Sequence, residues 1–318
     1  MLSERDKQVE ALSEKLHCIA RSAGVSRCCV LMQSSAQISE GAAKLQQALD
    51  NSRNEVVPVN LAPMPKSDWP YLVVLDIAKG HDAWISALAM EAAQREVQWE
   101  SLQSGRPNQV CAWILGERDP RELSRRIAKN AIQRNPQRKR RWLRFYDPCV
   151  IDLYWDLLTP TQRLLSDQEM GSWLYVDRYV ELRALSAPEA SGQMTGATLS
   201  NEQWDGLEYV GSINQSWIRL GKEGVIPEFA QLTSARRTMV ATVPALGIDD
   251  SIDLDLFAYH AIKYGPGFHA DTSVQQVLRR LSAEEGYAYL MQGFSEEHWA
   301  YIRDRRSISL ITVNKNGR

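Results

Sequence analysis

Apolar positions in the first half of the chain switch repeatedly between a helical period and short continuous runs. Val9, Leu12, Leu16 and Ile19 share one helix face behind a Ser3 cap, and Gly24 closes that helix. Apolar strands follow at 27–33 and 71–76, with a helix over 40–49 and a strand over 55–61 between them. Pro58 cannot donate to a ladder, which puts the 55–61 strand at a sheet edge. Helical spacing of Trp84, Leu88, Ala92 and Trp99 predicts one long helix over 82–103, broken at Gly105 and Pro107, and a buried strand over 110–115. Asp119, Pro120 and Glu122 combine an N-cap, a first-turn proline and an acidic third position, starting a helix to about residue 134. Its apolar stripe is only Leu123, Ile127 and Ala131.

The stretch 139–158, KRRWLRFYDPCVIDLYWDLL, starts basic, alternates like a strand and continues as an amphipathic helix. The alternation puts Trp142, Arg144 and Tyr146 on one strand face and Leu143 and Phe145 on the other, with Asp147 capping the helix after Pro148. Thr159, Pro160 and Gln162 start a helix over 161–169, and a strand is expected over 173–176. This alternation predicts an α/β N-terminal domain over 1–185, a mixed sheet flanked by helices. Residues 186–199 are small and polar and predict a linker. Beyond it only helical periods recur, predicting an all-helical C-terminal domain over 200–318. Trp204, Leu207, Val210, Ile213, Trp217 and Leu220 fall on one helix; 223–247 is less regular; further helices are expected over 252–263, 272–281, 283–292 and 296–305. The residues from 307 onward either add a short strand or trail off.

A length of 318 residues, 44% hydrophobic, suits about two folded domains. The net charge of −2 is unevenly distributed, because 118–144 carries eleven Lys/Arg against Asp119 and Glu122. That segment offers Arg121, Arg125, Arg138, Arg140 and Arg141 as candidate partner-binding residues for phosphates or, more in keeping with an acidic remainder, for an acidic protein, a plain solvated face being the other reading. Ten tryptophans supply large rigid contact area, and Trp204 and Trp217 are candidate partner anchors. The five cysteines have no CxxC or zinc spacing and suit free thiols in a reducing compartment. With no apolar leader and no run of about 18 apolar residues, the expectation is a cytoplasmic protein without a membrane segment.

Catalytic signatures are few. Gly265, Gly267 and Ala270 match a GxGxxA spacing, but a helix precedes it and Pro266 removes a donor, so a helix–helix corner is the better reading. The five histidines are dispersed, no metal or cofactor set is expected, and Cys149 has no identifiable base.

An ordered series of motifs resembles the adaptor, or effector-chaperone, family of bacterial type VI secretion, whose shared region is catalogued as a domain of unknown function. Tyr71–Asp76 (YLVVLD) looks like that family's pYLv-L strand, and the arginine-rich helix after Arg118-Asp119-Pro120 like its basic helix before the central strand. Arg144, Phe145, Tyr146, Asp147 and Pro148 resemble its R-F-[FYW]-D-P signature, read here as structural; Leu158-Thr-Pro-x-Gln162 and the 173–176 strand follow in order. The likeness spans residues 27–178, with a further echo at 263–268 (KYGPGF). Cys149 departs from it, since an arginine is common there, and the 82–103 helix is longer than expected. The resemblance implies a non-enzymatic chaperone that holds a secreted effector as cargo and loads it onto the VgrG spike protein; it does not assign the lobes, and our own expectation is that the helical lobe recognises cargo while the α/β lobe makes the shared contact. A nucleic-acid-binding protein using the 118–144 face, or an α/β enzyme of unrecognised type, are the other classes the residues leave open.

Overall fold

The computed structural model describes residues 3–34, 40–105, 108–164, 171–185, 198–282 and 284–304. The chain divides into two compact units, Met1–Asn201 and Glu202–Arg318. The N-terminal unit is a six-stranded sheet flanked by helices and the C-terminal unit is helical. Residues 186–197 of the expected linker, the far end of the 161–169 helix and everything after 304 lie outside the described residues.

In the first unit the order is α1 (Glu4–Ser22), β1 (Arg27–Met32), α2 (Glu40–Asp50), β2 (Val56–Pro58), β3 (Tyr71–Asp76), α3 (Gly80–Glu96), α4 (Trp99–Leu102), β4 (Val110–Leu115), α5 (Pro120–Ala131), β5 (Ile132–Arg134), β6 (Arg140–Trp142) and α6 (Pro148–Leu157). A helix α7 begins at 160, followed by β7 (Ser172–Val176) and β8 (Leu182–Ala184). The sheet runs β2-β3-β1-β4-β7-β8, with β2 at the edge as Pro58 requires. Every ladder is antiparallel, so the expected mixed sheet is corrected. The crossover α3 joins β3 to β4, which both flank β1; those two run the same way without pairing, which is why the sequence alternation looked partly parallel.

Both faces of the central strands are covered. Cys28, Val30, Met32, Trp113 and Leu115 point into one core with Leu12 and Leu16 of α1, Leu45 of α2 and Ile85, Ala89 and Met90 of α3. The alternate residues Cys29, Leu31, Leu72, Ala112, Ile114 and Trp173 are also buried, beneath α5 and α6. Continuous apolar runs are what a strand with two dry faces demands. Polar pins hold the layers in register: Trp113 Nε1 donates to Ser86 Oγ of α3 (3.2 Å), and Ser124 Oγ of α5 donates to the Pro58 carbonyl (2.7 Å). Buried Glu96 ends α3 by accepting from the Gln109 and Val110 amides (2.7 and 3.1 Å), fixing where β4 starts.

The second unit contains α8 (Asn201–Glu208), α9 (Val210–Lys222), α10 (Phe229–Leu246), α11 (Ser251–Lys263), α12 (Thr272–Leu278), α13 (Tyr287–Met291) and α14 over 296–304. The single helix expected from 200 to 221 breaks at Tyr209 into α8 and α9. The 18-residue α10 occupies the stretch that looked irregular. Its ends are well marked, by a Glu228/Gln231 capping box and by Gly247 at φ +69, but its weak amphipathic pattern and Pro244 hid it. Around α11, Phe257, His260, Phe268, Tyr287 and Trp299 form a buried aromatic cluster, with the His260 ring 4.3 Å from Trp299 and its Nδ1 2.7 Å from the Tyr287 hydroxyl.

Burial holds the His260 imidazole down at about 3 against an ordinary 6.5. The folded protein therefore binds this proton less readily than the unfolded chain, so His260 leaves stability untouched above about pH 6.5 and lowers it as pH falls from there toward 3. Each unit of acidification within that window is expected to cost up to about 1.4 kcal/mol. Urea midpoints at pH 7 and 4.5 should differ less in a His260→Gln variant than in the native chain; equal differences would show that another group carries the acid sensitivity.

Candidate functional site

The 144–148 stretch is a turn, not a strand. β6 ends at Trp142, residues 145–146 form the turn, and α6 starts at Pro148, so the expected two-faced strand from Trp142 to Tyr146 is corrected. Alternation there reflects a different demand: Phe145 and Tyr146 are adjacent and both buried, reaching separate parts of one core. Phe145 packs against Tyr154 of α6 and Trp173 of β7, with ring centroids 5.7 and 5.9 Å away, and its burial contributes about 2 kcal/mol. The Tyr146 hydroxyl donates to Gln33 Oε1 (3.2 Å), whose amide donates to the Asp68 carbonyl (2.8 Å), tying the corner to the end of β1 and to the turn before β3.

Asp147 is the hub of the corner. One carboxylate oxygen accepts from the Cys149 amide, the N-cap bond of α6, and from Asn108 Nδ2, both at 3.0 Å. Its other oxygen lies 2.8 Å from Arg144 Nη2. Pro148 at the first helical position needs no donor partner. The Asn108 amide also contacts Cys149 Sγ at 3.2 Å. Burial pushes the Cys149 thiol up to about 12, with the Asp147 charge adding to the effect, so it stays protonated at neutral pH. Beneath it, buried Arg178 donates to the Cys149 carbonyl (3.1 Å) and lies 3.5 Å from Asp152, which also accepts from the Tyr175 hydroxyl. Phe145, Tyr146, Asp147 and Pro148 thus lie buried inside the unit, while Arg144 is half-buried, paired with Asp147 and left with an Nε that has no hydrogen-bond partner.

The basic candidates sit on the surface. Arg121 and Arg125 are exposed on α5, Arg121 3.9 Å from Glu55 of the β2 edge. Arg138, Arg140 and Arg141 are exposed on the two-stranded β5–β6 ribbon, where Ile132, Gln133 and Arg134 face Trp142, Arg141 and Arg140. The ribbon was hidden because the helix was expected to run to Arg134; it stops at Ala131 and the chain doubles back instead. Trp204 and Trp217 are corrected as partner anchors: both are buried, at 9% and 2% exposure, in the helical unit's own core. The large apolar residues exposed there are Val225, Ile226, Ile252, Tyr289 and Tyr301. Ile252 and Tyr289 edge a cleft of about 590 Å³ with Leu246, Ile248, Asp249 and Asp253.

Two arrangements resemble chemistry without supporting it. The 265–270 glycine motif is the corner between α11 and α12, with Gly265 at φ +97 and Phe268 fully buried. At the start of α12, Ser273 Oγ bonds both Asp271 (2.6 Å) and His298 Nε2 (2.9 Å). The carboxylate touches the hydroxyl and not the imidazole, so this is no Ser-His-Asp relay. Among the described residues no group of three or more His, Cys, Asp or Glu could hold a metal ion, and no helix is long and apolar enough to cross a membrane.

Removing the Asp147 carboxylate deletes a cap and strands buried donors of Asn108 and Arg144, at a cost of about 2–4 kcal/mol. Asp147→Ala is expected to lower Tm by about 5–10 °C and Asp147→Asn, which keeps a capping oxygen, by less; equal losses in a thermal melt would mean that the cap is unimportant. Among the five thiols, exposed Cys18 should alkylate fastest at pH 8, ahead of Cys149; peptide mapping that finds Cys149 modified first would refute a protonated, enclosed thiol. No family model, curated protein or solved structure matches this chain.

Proposed function

We propose that this protein is a non-enzymatic adaptor that holds a type VI secretion effector in the cytoplasm and loads it onto the VgrG spike. The observation that carries the reading is the company kept by the 144–148 corner. The resembling elements β3, α5, the corner and β7 are distant in sequence yet belong to one compact unit, with Phe145, Tyr146 and Asp147 of the corner buried in it. A motif spent on structure marks a fold, and leaves recognition to exposed surfaces. Two such surfaces differ in chemistry: basic α5 and the β5–β6 ribbon in the first unit, and the Ile252/Tyr289 cleft in the second. In this reading the cleft takes cargo through apolar anchors with an acidic rim, and the first unit makes the shared spike contact. One observation favours nucleic acid as a second reading, the exposed Trp142 beside the ribbon's arginines, which together suit stacking and phosphates.

Purification of the tagged chain from a secreting strain should recover an effector and a VgrG protein, and deleting the gene should abolish delivery of that effector alone; recovery of neither partner sinks the adaptor reading. Ile252→Asp, at a site 69% exposed, should weaken effector capture about tenfold or more without lowering Tm. Undiminished capture would move cargo binding off the cleft.

A further inference from the structure

The β5–β6 ribbon carries Arg134, Arg138, Lys139, Arg140 and Arg141 and no acidic residue between 132 and 142. None of these five cations makes an ion pair among the described residues, whereas Arg95, Arg126, Arg144, Arg178 and Arg183 of the same unit are all paired. The register sets Arg134 directly opposite Arg140. Directly opposed side chains stand about 5 Å apart, so two guanidiniums there repel and weaken an already short ribbon. At the tip Arg138 adopts φ +59, a left-handed conformation in which a glycine would be easier. That turn is held by Asn135, which accepts from the Lys139 amide (2.9 Å), and by Arg134 Nη1 donating to the Arg138 carbonyl (3.1 Å). Apart from that one turn contact of Arg134, the described residues offer these charges no counter-charge, which points to a ligand that neutralises them.

We propose that the ribbon binds an acidic segment of a protein partner, its carboxylates clamped by Arg134 and Arg140 and an apolar side chain resting on Trp142. Trp142 is 37% exposed and shares the face of Arg134 and Arg140, two residues along β6. Paired guanidiniums suit carboxylates in bidentate geometry. Charge argues for a short anionic segment over a long nucleic acid: the basic segment 118–144 carries +9 in a chain of −2, so the rest carries −11 and disfavours a polyanion that extends past that segment. The inference rests on the adaptor reading only in taking the partner to be a protein.

The test uses the full chain with two labelled probes, a short poly-glutamate peptide and oligo(dT), followed by fluorescence anisotropy at rising salt. Poly-glutamate should bind more tightly than oligo(dT) and weaken as salt rises. Arg140→Glu should reduce peptide binding by about tenfold or more while Tm holds or rises, because the like-charged pair becomes an opposite one. Tighter oligo(dT) binding overturns the proposal in favour of nucleic acid. Binding of neither probe, or peptide binding unchanged in Arg140→Glu, overturns it outright. Capture from a secreting strain separates this from the adaptor reading: a native chain that recovers no partner defeats that reading, whereas native and Arg140→Glu chains recovering partners equally defeat the ribbon alone.

Discussion

The N-terminal unit depends on what one carboxylate, Asp147, brings together. It starts α6, anchors the loop before β4 through Asn108 and pairs with Arg144 at the end of the β5–β6 excursion. Three chain segments that approach from different directions therefore meet at one charge. A buried anion is tolerable only with this density of donors, and each donor is in turn stranded without it. The neighbouring Arg178–Asp152 pair repeats the device one layer down and holds β7 against α6. Between these polar contacts, Phe145 and Tyr146 fill the space against Trp173 and Tyr154.

Such a corner shows how a short motif can be held in place by internal contacts. Each residue answers a separate physical need: a fixed φ at the helix start, a capping acceptor, two buried rings and a counter-charge. Together they specify one geometry, so substituting any one leaves the others unsatisfied. What the corner leaves outside is different: the cations of the β5–β6 ribbon are exposed and make no ion pair among the described residues. In the helical unit the corresponding surface is apolar, with Ile252 and Tyr289 exposed while the tryptophans are consumed by the core.

Much of this was determined by sequence alone. Continuous apolar runs located β1, β3 and β4, because a strand buried on both faces has no polar phase to show. Asp-Pro pairs located the starts of α5 and α6, because capping and the missing proline donor are local effects. Pro58 placed β2 at an edge for the same reason. Tertiary structure decided the rest. Strand direction depends on which neighbours pair, and α3 carries β4 past β1 to its far side, which no local pattern encodes. Trp204 and Trp217 look alike as core or as anchor until the helices pack around them. At 142–147 the alternation of apolar and polar residues suited a strand, yet the chain turns there, and Asp147 meets Asn108 and Arg144 across the corner.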